Sequence, residues 1–132
     1  MLERKRISPD LISRLSKREV FVFGSNAQGL HFGGAARVAV VKFGAVMGKG
    51  EGLQGQSYAI PTMEGIENMK QAVDRFSAFA REHSELKFMV TAIGCGIAGY
   101  TPEQVAPLFQ EASGLKNVYL PASFWKVLEK KW

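Results

Sequence analysis

Four short apolar runs, each followed by a segment with helical features, constrain the fold of this chain more than any other feature. The runs cover residues 19–25, 57–61, 87–93 and 117–120. Most of their residues are apolar and do not alternate with polar ones, which is typical of strands buried on both faces of a parallel sheet. Strands that alternate with helices predict an α/β fold with a largely parallel sheet, covered by helices on both faces.

Helix caps and apolar spacing predict the helices. Ser8-Pro9-Asp10 has the composition of a helix start, which predicts an N-terminal helix that buries Leu11, Ile12 and Leu15. Ile66, Met69, Val73, Phe76 and Ala80 repeat at helical spacing and make residues 63–83 the clearest helix. Further helices are expected at residues 33–43, from the capping box Thr101-Pro102-Glu103-Gln104 onward, and at residues 124–131.

The domain organisation follows from length and continuity. The chain has 132 residues, which is the size of one ordinary domain, and it contains no linker, repeat or low-complexity tract. We therefore expect a single domain at residues 1–132, with an N-terminal basic helix at 1–18, a core at 19–125 and a basic C-terminal end at 126–132.

Composition excludes several classes of protein. Apolar residues make up 46% and charged residues 22%, which argues against a disordered or fibrous chain. The apolar stretches are too short to cross a bilayer, and the first residues lack a signal core, so we expect neither a membrane partner nor export. A single cysteine, Cys95, excludes a disulfide framework and a multi-thiolate metal site. The expected location is the cytoplasm, and no metal or cofactor is expected.

The net charge of +5 lies mostly at the two ends of the chain. Residues 1–18 and 126–132 hold nine of the 17 basic residues, while the remainder has a net charge of −1. Basic ends are more often solvated helix faces than binding patches. An RNA-binding protein stays an alternative that rests on these ends alone.

Glycine marks two loops at the ends of strands. Nine of the 14 glycines lie between Gly24 and Gly55, and three more lie between Gly94 and Gly99. Ligands of parallel sheets bind beyond the carboxyl ends of the strands, where strands lead into helices. We therefore expect residues 26–36 and 94–100 to line one crevice, with backbone amides facing an anionic ligand such as a diphosphate.

The two loops together resemble the macro domain, the ADP-ribose-binding fold. In the first loop, Asn26 precedes Gly33-Gly34-Ala35-Ala36 at the spacing of the family signature, and the second loop, GCGIAGY, is similar to the diphosphate loop of the family. Gly52-Leu53 leading into Tyr58-Ala59-Ile60-Pro61 is similar to its central strand segment. The sequence departs from the family at Phe32, which replaces a glycine, at Ala98, which replaces an aromatic residue, and in lacking the adenine-binding aspartate.

The resemblance implies a three-layer α/β/α sandwich with a mixed, largely parallel central sheet. It implies binding of ADP-ribose or a related nucleotide diphosphate, free or on an ADP-ribosylated macromolecule. One version is an ADP-ribosyl hydrolase or ADP-ribose-phosphate phosphatase, in which Asn26 and Gly34 position water; the other is a non-catalytic reader. The ligand-binding residues implied are Gly24, Ser25, Asn26, Gly33, Gly34, Ala35, Ala36, Gly94, Cys95, Gly96, Ile97, Ala98, Gly99 and Tyr100.

Several residues have a second interpretation that involves no ligand. Asn26 is also the type of residue that caps a turn after a strand. His31 is either an acid or base or a bystander, and Cys95 is either a thiol activated by nearby amides or an inert one. Tyr100 is suited to stacking on a ring and equally to filling the core. The polar residues of the glycine-rich stretch, Glu51, Gln54 and Gln56, either reach the ligand from the side or are solvated.

Overall fold

The computed structural model of the chain describes residues 6–129, and a mixed sheet of five strands runs through it. In chain order the elements are β1 (Glu19–Ser25), α1 (Gly34–Lys42), β2 (Gly52–Gln54), β3 (Ser57–Pro61), α2 (Ile66–Glu82), β4 (Lys87–Val90), α3 (Pro102–Val105), two 3₁₀ turns (Ala106–Phe109 and Ala112–Gly114), β5 (Val118–Tyr119) and α4 (Ala122–Glu129). The sequence prediction of an α/β fold is confirmed.

Strand β1 occupies the middle of the sheet, whose order is β2-β3-β1-β4-β5. It pairs in parallel with β3 on one side and with β4 on the other, so that Val22 lies opposite both Tyr58 and Val90. Strand β5 extends the parallel part beyond β4, whereas β2 pairs antiparallel with β3 at the other edge. The carboxyl ends of β1, β3 and β4 therefore meet at the same edge of the sheet.

Alternate side chains of β1 enter two separate hydrophobic clusters. Val20 and Val22 pack with α2, α3 and α4 in the larger cluster, while Phe21 and Phe23 pack with α1 in the smaller one. Because successive side chains of a strand point to opposite faces, β1 is buried on both faces. This double burial explains why its sequence is almost continuously apolar.

Helix α2 supplies most of the aromatic packing of the larger cluster. The ring of Phe76 is fully buried and makes edge contacts with Tyr58, Phe88 and Phe109 at centroid distances of 5.1, 5.4 and 6.3 Å. The helix expected at residues 63–83 is confirmed, although it begins at Ile66 after Gly65, whose φ of 98° is incompatible with a helical residue.

The expected N-terminal basic helix is wrong within the described residues, because residues 6–18 contain no helix. Its first residues are extended: the Ser8 N–H donates to the Leu120 carbonyl at 2.9 Å, and the Leu120 N–H donates to the Arg6 carbonyl at 3.0 Å. The Ser8 hydroxyl also donates to the buried Val90 carbonyl. These long-range bonds hold the backbone extended, and Leu11, expected to be buried, is 85% exposed. Residues 1–5 and 130–132 of the two expected basic ends lie outside the description.

Two further elements differ from the sequence prediction. The helix capped by Thr101 has only one α-helical turn before it continues as a 3₁₀ turn. Pro107 explains the change, since it has no N–H to donate to the Glu103 carbonyl four residues earlier. Strand β2 was not predicted, because its three residues carry no apolar pattern and pair only with the adjacent β3.

A matched pair of leucine substitutions tests the extended N-terminal segment. We expect Leu120→Ala to lower the free energy of unfolding by ~2–5 kcal/mol, because Leu120 is completely buried. Leu11→Ala should change it by less than ~0.5 kcal/mol, the usual effect of an exposed substitution. Urea denaturation of the two variants measures both values. A comparable loss at Leu11 would show that this side chain is buried, as the helix interpretation requires.

Candidate functional site

A crevice of about 480 Å³ opens at the carboxyl ends of β1, β3 and β4. Strands β1 and β4 are neighbours in the sheet, and the segments after them lead into α1 and α3. These two helices belong to different core clusters, so the chain leaves the two strands towards opposite faces of the sheet. Such divergence opens a crevice between the strand ends. Its volume lies within the range of ~300–1,000 Å³ that is usual for small-molecule sites.

The two glycine-rich loops meet in this crevice, as the parallel strand order predicts. The expected site residues that line it are Gly24, Ser25, Asn26, Gly33, Gly34, Ala35, Ala36, Gly94, Gly96, Ile97 and Ala98. Cys95, Gly99 and Tyr100 do not line it. Cys95 and Tyr100 are half-buried against the larger core cluster. For Tyr100, this position favours the interpretation in which its ring fills the core. Gly99 lies at an exposed turn with a φ of 81°.

Seven further residues line the crevice that were not named as ligand-binding residues from the sequence, although two of them lie in the loop at residues 26–36 that was expected to line it. Thr62 and Met63 follow β3, Thr91, Ala92 and Ile93 follow β4, and Leu30 and Phe32 belong to the first loop. The rule that identified the loops, position after a parallel strand, applies to all seven. Thr91, Ala92 and Ile93 were expected inside the strand at residues 87–93, which ends at Val90 in the structure. Leu30 and Phe32 lie inside the first loop, where a large apolar residue does not by itself indicate a site.

Among the described residues, none that lines the crevice is charged, and each polar side chain there already has a hydrogen-bond partner in the protein. The Thr62 hydroxyl donates to the Ser25 carbonyl at 3.2 Å, and the Thr91 hydroxyl donates to the Val22 carbonyl at 2.8 Å. The Ser25 hydroxyl lies 3.2 Å from the Asn26 carbonyl. Side chains therefore offer the crevice few free polar groups.

Backbone amides are the polar groups that remain free. Within the described part of the chain, the N–H groups of Gly96, Ile97 and Ala98 have no hydrogen-bond acceptor, and these three consecutive residues line the crevice. Helix α1 begins at Gly34 without a side-chain cap or an acidic residue in its first turn. Its first amides, which lack intrahelical acceptors, belong to crevice residues as well. Both sets suit an anion.

Helix α3 does not provide the second helix N-terminus that the sequence suggested for the anion. The Thr101 hydroxyl accepts from the Gln104 N–H, and the Gln104 side chain accepts from the Thr101 N–H at 2.9 Å. The predicted capping box is thus confirmed, but it occupies the amides that a ligand would need. The free amides of this loop lie earlier, at residues 96–98.

Asn26 holds the first loop closed. Its side-chain oxygen accepts from the Leu30 N–H at 2.9 Å, and its side-chain nitrogen donates to the Leu30 carbonyl at 3.2 Å. The turn-capping interpretation of Asn26 is therefore confirmed. Asn26 also lines the crevice, so its main contribution there is to position the loop backbone.

His31 is buried and does not line the crevice. It is 2% exposed, its Nε2 lies 3.1 Å from the Lys49 carbonyl and its Nδ1 lies 3.3 Å from the Ser25 hydroxyl. A carbonyl only accepts hydrogen bonds, so Nε2 carries the hydrogen, and in the neutral ring Nδ1 accepts from Ser25. This arrangement favours the bystander interpretation, in which His31 joins two loops.

The glycine-rich stretch after α1 supports the first loop and does not line the crevice. A Cβ added to Gly50 would lie 2.2 Å from the Asn26 carbonyl oxygen, and one added to Gly29 would lie 2.4 Å from the backbone of Gly48. The two backbones are therefore in direct contact. Gln54 is buried and hydrogen-bonds to Val46 and Lys49 in the same stretch.

The remaining polar candidates are likewise engaged outside the crevice. Glu51 forms a two-point ion pair with Arg75, at 2.6 and 2.9 Å. The Gln56 side chain donates to the Ser16 and Glu19 carbonyls. Neither residue reaches the ligand region from the side.

The surroundings of Cys95 do not favour a thiolate. Burial, followed by the nearby negative charge of Glu103, raises the pKa of its side chain. A raised pKa keeps the thiol protonated at neutral pH, whereas a nucleophilic cysteine needs a lowered one. Of the two interpretations of Cys95, this direction favours the inert thiol.

Comparison of the chain with models of protein families, with curated proteins and with solved structures finds no significant match. Among residues 6–129, no group of three or more His, Cys, Asp and Glu side chains is placed to hold a metal ion. No helix in that same range is both long and apolar enough to cross a membrane.

A glycine substitution tests the contact between the two backbones. We expect Gly50→Ala to destabilise the protein by ~1–3 kcal/mol, because its Cβ overlaps backbone atoms that have little room to move. Gly114→Ala is the matched control, since no atom lies within 4 Å of a Cβ at that position. Urea denaturation of the two variants gives the comparison. Equal stability of both variants would mean that the two stretches are not packed together.

Proposed function

We propose that this chain is a macro-like domain whose crevice binds ADP-ribose or a related nucleoside diphosphate. The observation that carries the proposal is the pair of free amide sets, at residues 34–36 and 96–98, that border one crevice. The resemblance of both loops to the macro domain supports the same ligand. The proposed architecture is a three-layer sandwich, supported by the membership of α1 and α2 in different core clusters.

Backbone amides account for recognition of a diphosphate without any charged side chain. A hydrogen bond from an amide to a charged oxygen contributes about 1.5–3 kcal/mol, so several together suffice for micromolar binding. The positive end of the α1 dipole adds to the attraction. In this proposal the amides of residues 34–36 and 96–98 hold the diphosphate, while Asn26 keeps the first loop in place.

The geometry favours a reader over a hydrolase or phosphatase. Among residues 6–129, none that lines the crevice has a titratable side chain, so none of them is available as a general acid or base. His31 and Cys95, the residues considered for chemistry from the sequence, do not line the crevice. The proposed partner is therefore ADP-ribose or a group carried by an ADP-ribosylated macromolecule, bound without turnover.

The alternative of an RNA-binding protein loses part of its basis. Arg6, one of the basic residues on which it rests, is directed into the protein. Its guanidinium donates to the Ser113 carbonyl at 2.9 Å and lies 5.6 Å from the centre of the Trp125 ring. Burial lowers its pKa, as expected for a cation removed from water. Because Arg6 is engaged within the protein, its charge is less available to bind the phosphates of RNA than an exposed arginine would be.

The substitution Gly96→Glu tests the diphosphate site. Position 96 has room for a side chain and does not require a positive φ, so the variant should fold normally. Its carboxylate would occupy the crevice beside the free amides. We expect the affinity for ADP-ribose to fall at least ~100-fold, equivalent to about 2.8 kcal/mol. Isothermal titration calorimetry measures the affinity, and thermal melting checks the fold.

Gly114→Glu is the matched control for this experiment, because position 114 is also open and lies outside the crevice. It should bind ADP-ribose like the unmodified protein. Normal binding by a folded Gly96→Glu variant would show that the second loop is only a turn.

A turnover assay separates the reader from the hydrolase. We expect the unmodified protein to bind a peptide carrying ADP-ribose without releasing the ADP-ribose, because the crevice supplies no acid or base. Chromatography of the reaction over hours detects any release. Release that disappears in Asn26→Ala while binding is retained would establish the hydrolase instead, since that pattern marks a contact specific to the transition state.

A further inference from the structure

Large apolar side chains stand exposed around the crevice. Phe32 is 68% exposed and Ile97 is 86% exposed, and they belong to the two different loops. Leu30 and Met63, at 46% and 48% exposure, also line it. Exposed apolar groups that border a cavity are typical of a ligand-binding surface.

Within the part of the chain that the structure describes, Phe32 is the one aromatic residue that lines the crevice. It immediately precedes Gly33 and Gly34, so it lies beside the free amides at the start of α1. An aromatic ring next to an anion-binding backbone suits a ligand that combines a flat ring with phosphate.

Among the described residues, every polar side chain that lines the crevice is already hydrogen-bonded within the protein, which leaves little side-chain capacity to read the edge of a base. Discrimination between bases requires donors and acceptors whose hydrogen bonds are otherwise unmade. The carboxamide of Asn26 and the hydroxyls of Thr62 and Thr91 are bound to the backbone, and no charged side chain lines the crevice. Stacking, by contrast, is available to every base, because each has an aromatic face.

We propose that Phe32 stacks on the ring of the bound nucleotide, and that Ile97, on the other loop, contacts the same ring. The site then accepts nucleoside diphosphates largely irrespective of their base. The inference rests on the proposed function, since it takes the amides of both loops as the diphosphate site. In this proposal Phe32 recognises the ring of the nucleotide, and every ligand of the site must carry a diphosphate.

A panel of nucleotides tests base tolerance. ADP, GDP, CDP and UDP are titrated into the protein by calorimetry, with adenosine as the ligand that lacks phosphate. We expect the four diphosphates to bind within about tenfold of one another, the spread that stacking alone allows. Adenosine should bind at least ~100-fold more weakly than ADP, because it makes none of the charged hydrogen bonds to the amides.

Phe32→Ala tests the stacking residue in the same panel. We expect it to weaken all four diphosphates by a similar factor of ~5- to 150-fold, the range measured for loss of a stacked aromatic residue. Phe32→Trp should retain binding. Val41→Ala is the control, since Val41 is 67% exposed and lies outside the crevice. Because Phe32 and Val41 are exposed, both alanine variants should keep the stability of the unmodified protein.

The outcomes distinguish this inference from the proposed function. A preference above ~100-fold for one base, or unchanged binding by Phe32→Ala, would overturn base tolerance or stacking and leave diphosphate binding intact. Failure of all four diphosphates and ADP-ribose to bind would overturn the proposed function and the inference with it.

Discussion

The double burial of β1 is the constraint on which the rest of the structure depends. This strand is covered on both faces and paired along both edges, so its position is determined by both core clusters and by β3 and β4 together. Because the neighbours are parallel to it, the loops after three strands emerge at one edge. The crevice follows from that placement. Its position is thus set by the hydrophobic core, while its chemistry is set by the loops.

Within the loops, polar side chains hold neighbouring segments together, while backbone amides face the crevice. Asn26, His31 and Gln54 direct their polar groups to loop backbone and hold neighbouring segments in place. The crevice is left with main-chain amides, small residues and an apolar border. This division explains how glycine-rich segments are kept rigid enough to present amides in a fixed arrangement. An unsupported loop would lose more conformational entropy on binding an anion.

Local patterns predicted the elements and the loops well, and long-range contacts account for the errors. The strands at β1 and β3, the helix at α2 and the Thr101 capping box all follow from residue order and spacing. The N-terminal segment has the local composition of a helix, but its partner is Leu120, more than a hundred residues away. The raised pKa of Cys95 likewise depends on burial that no sequence pattern reveals. ADP-ribose binding stays a prediction.

The free amides of residues 96–98 have a consequence for how this site can change. Every residue except proline carries the same N–H, so replacing Ile97 or Ala98 with another such residue alters the border of the crevice and leaves the donors in place. Losing or gaining one residue in that stretch shifts all the donors at once. Loop length, more than residue identity, is therefore the variable through which evolution or an engineer would redirect such a site.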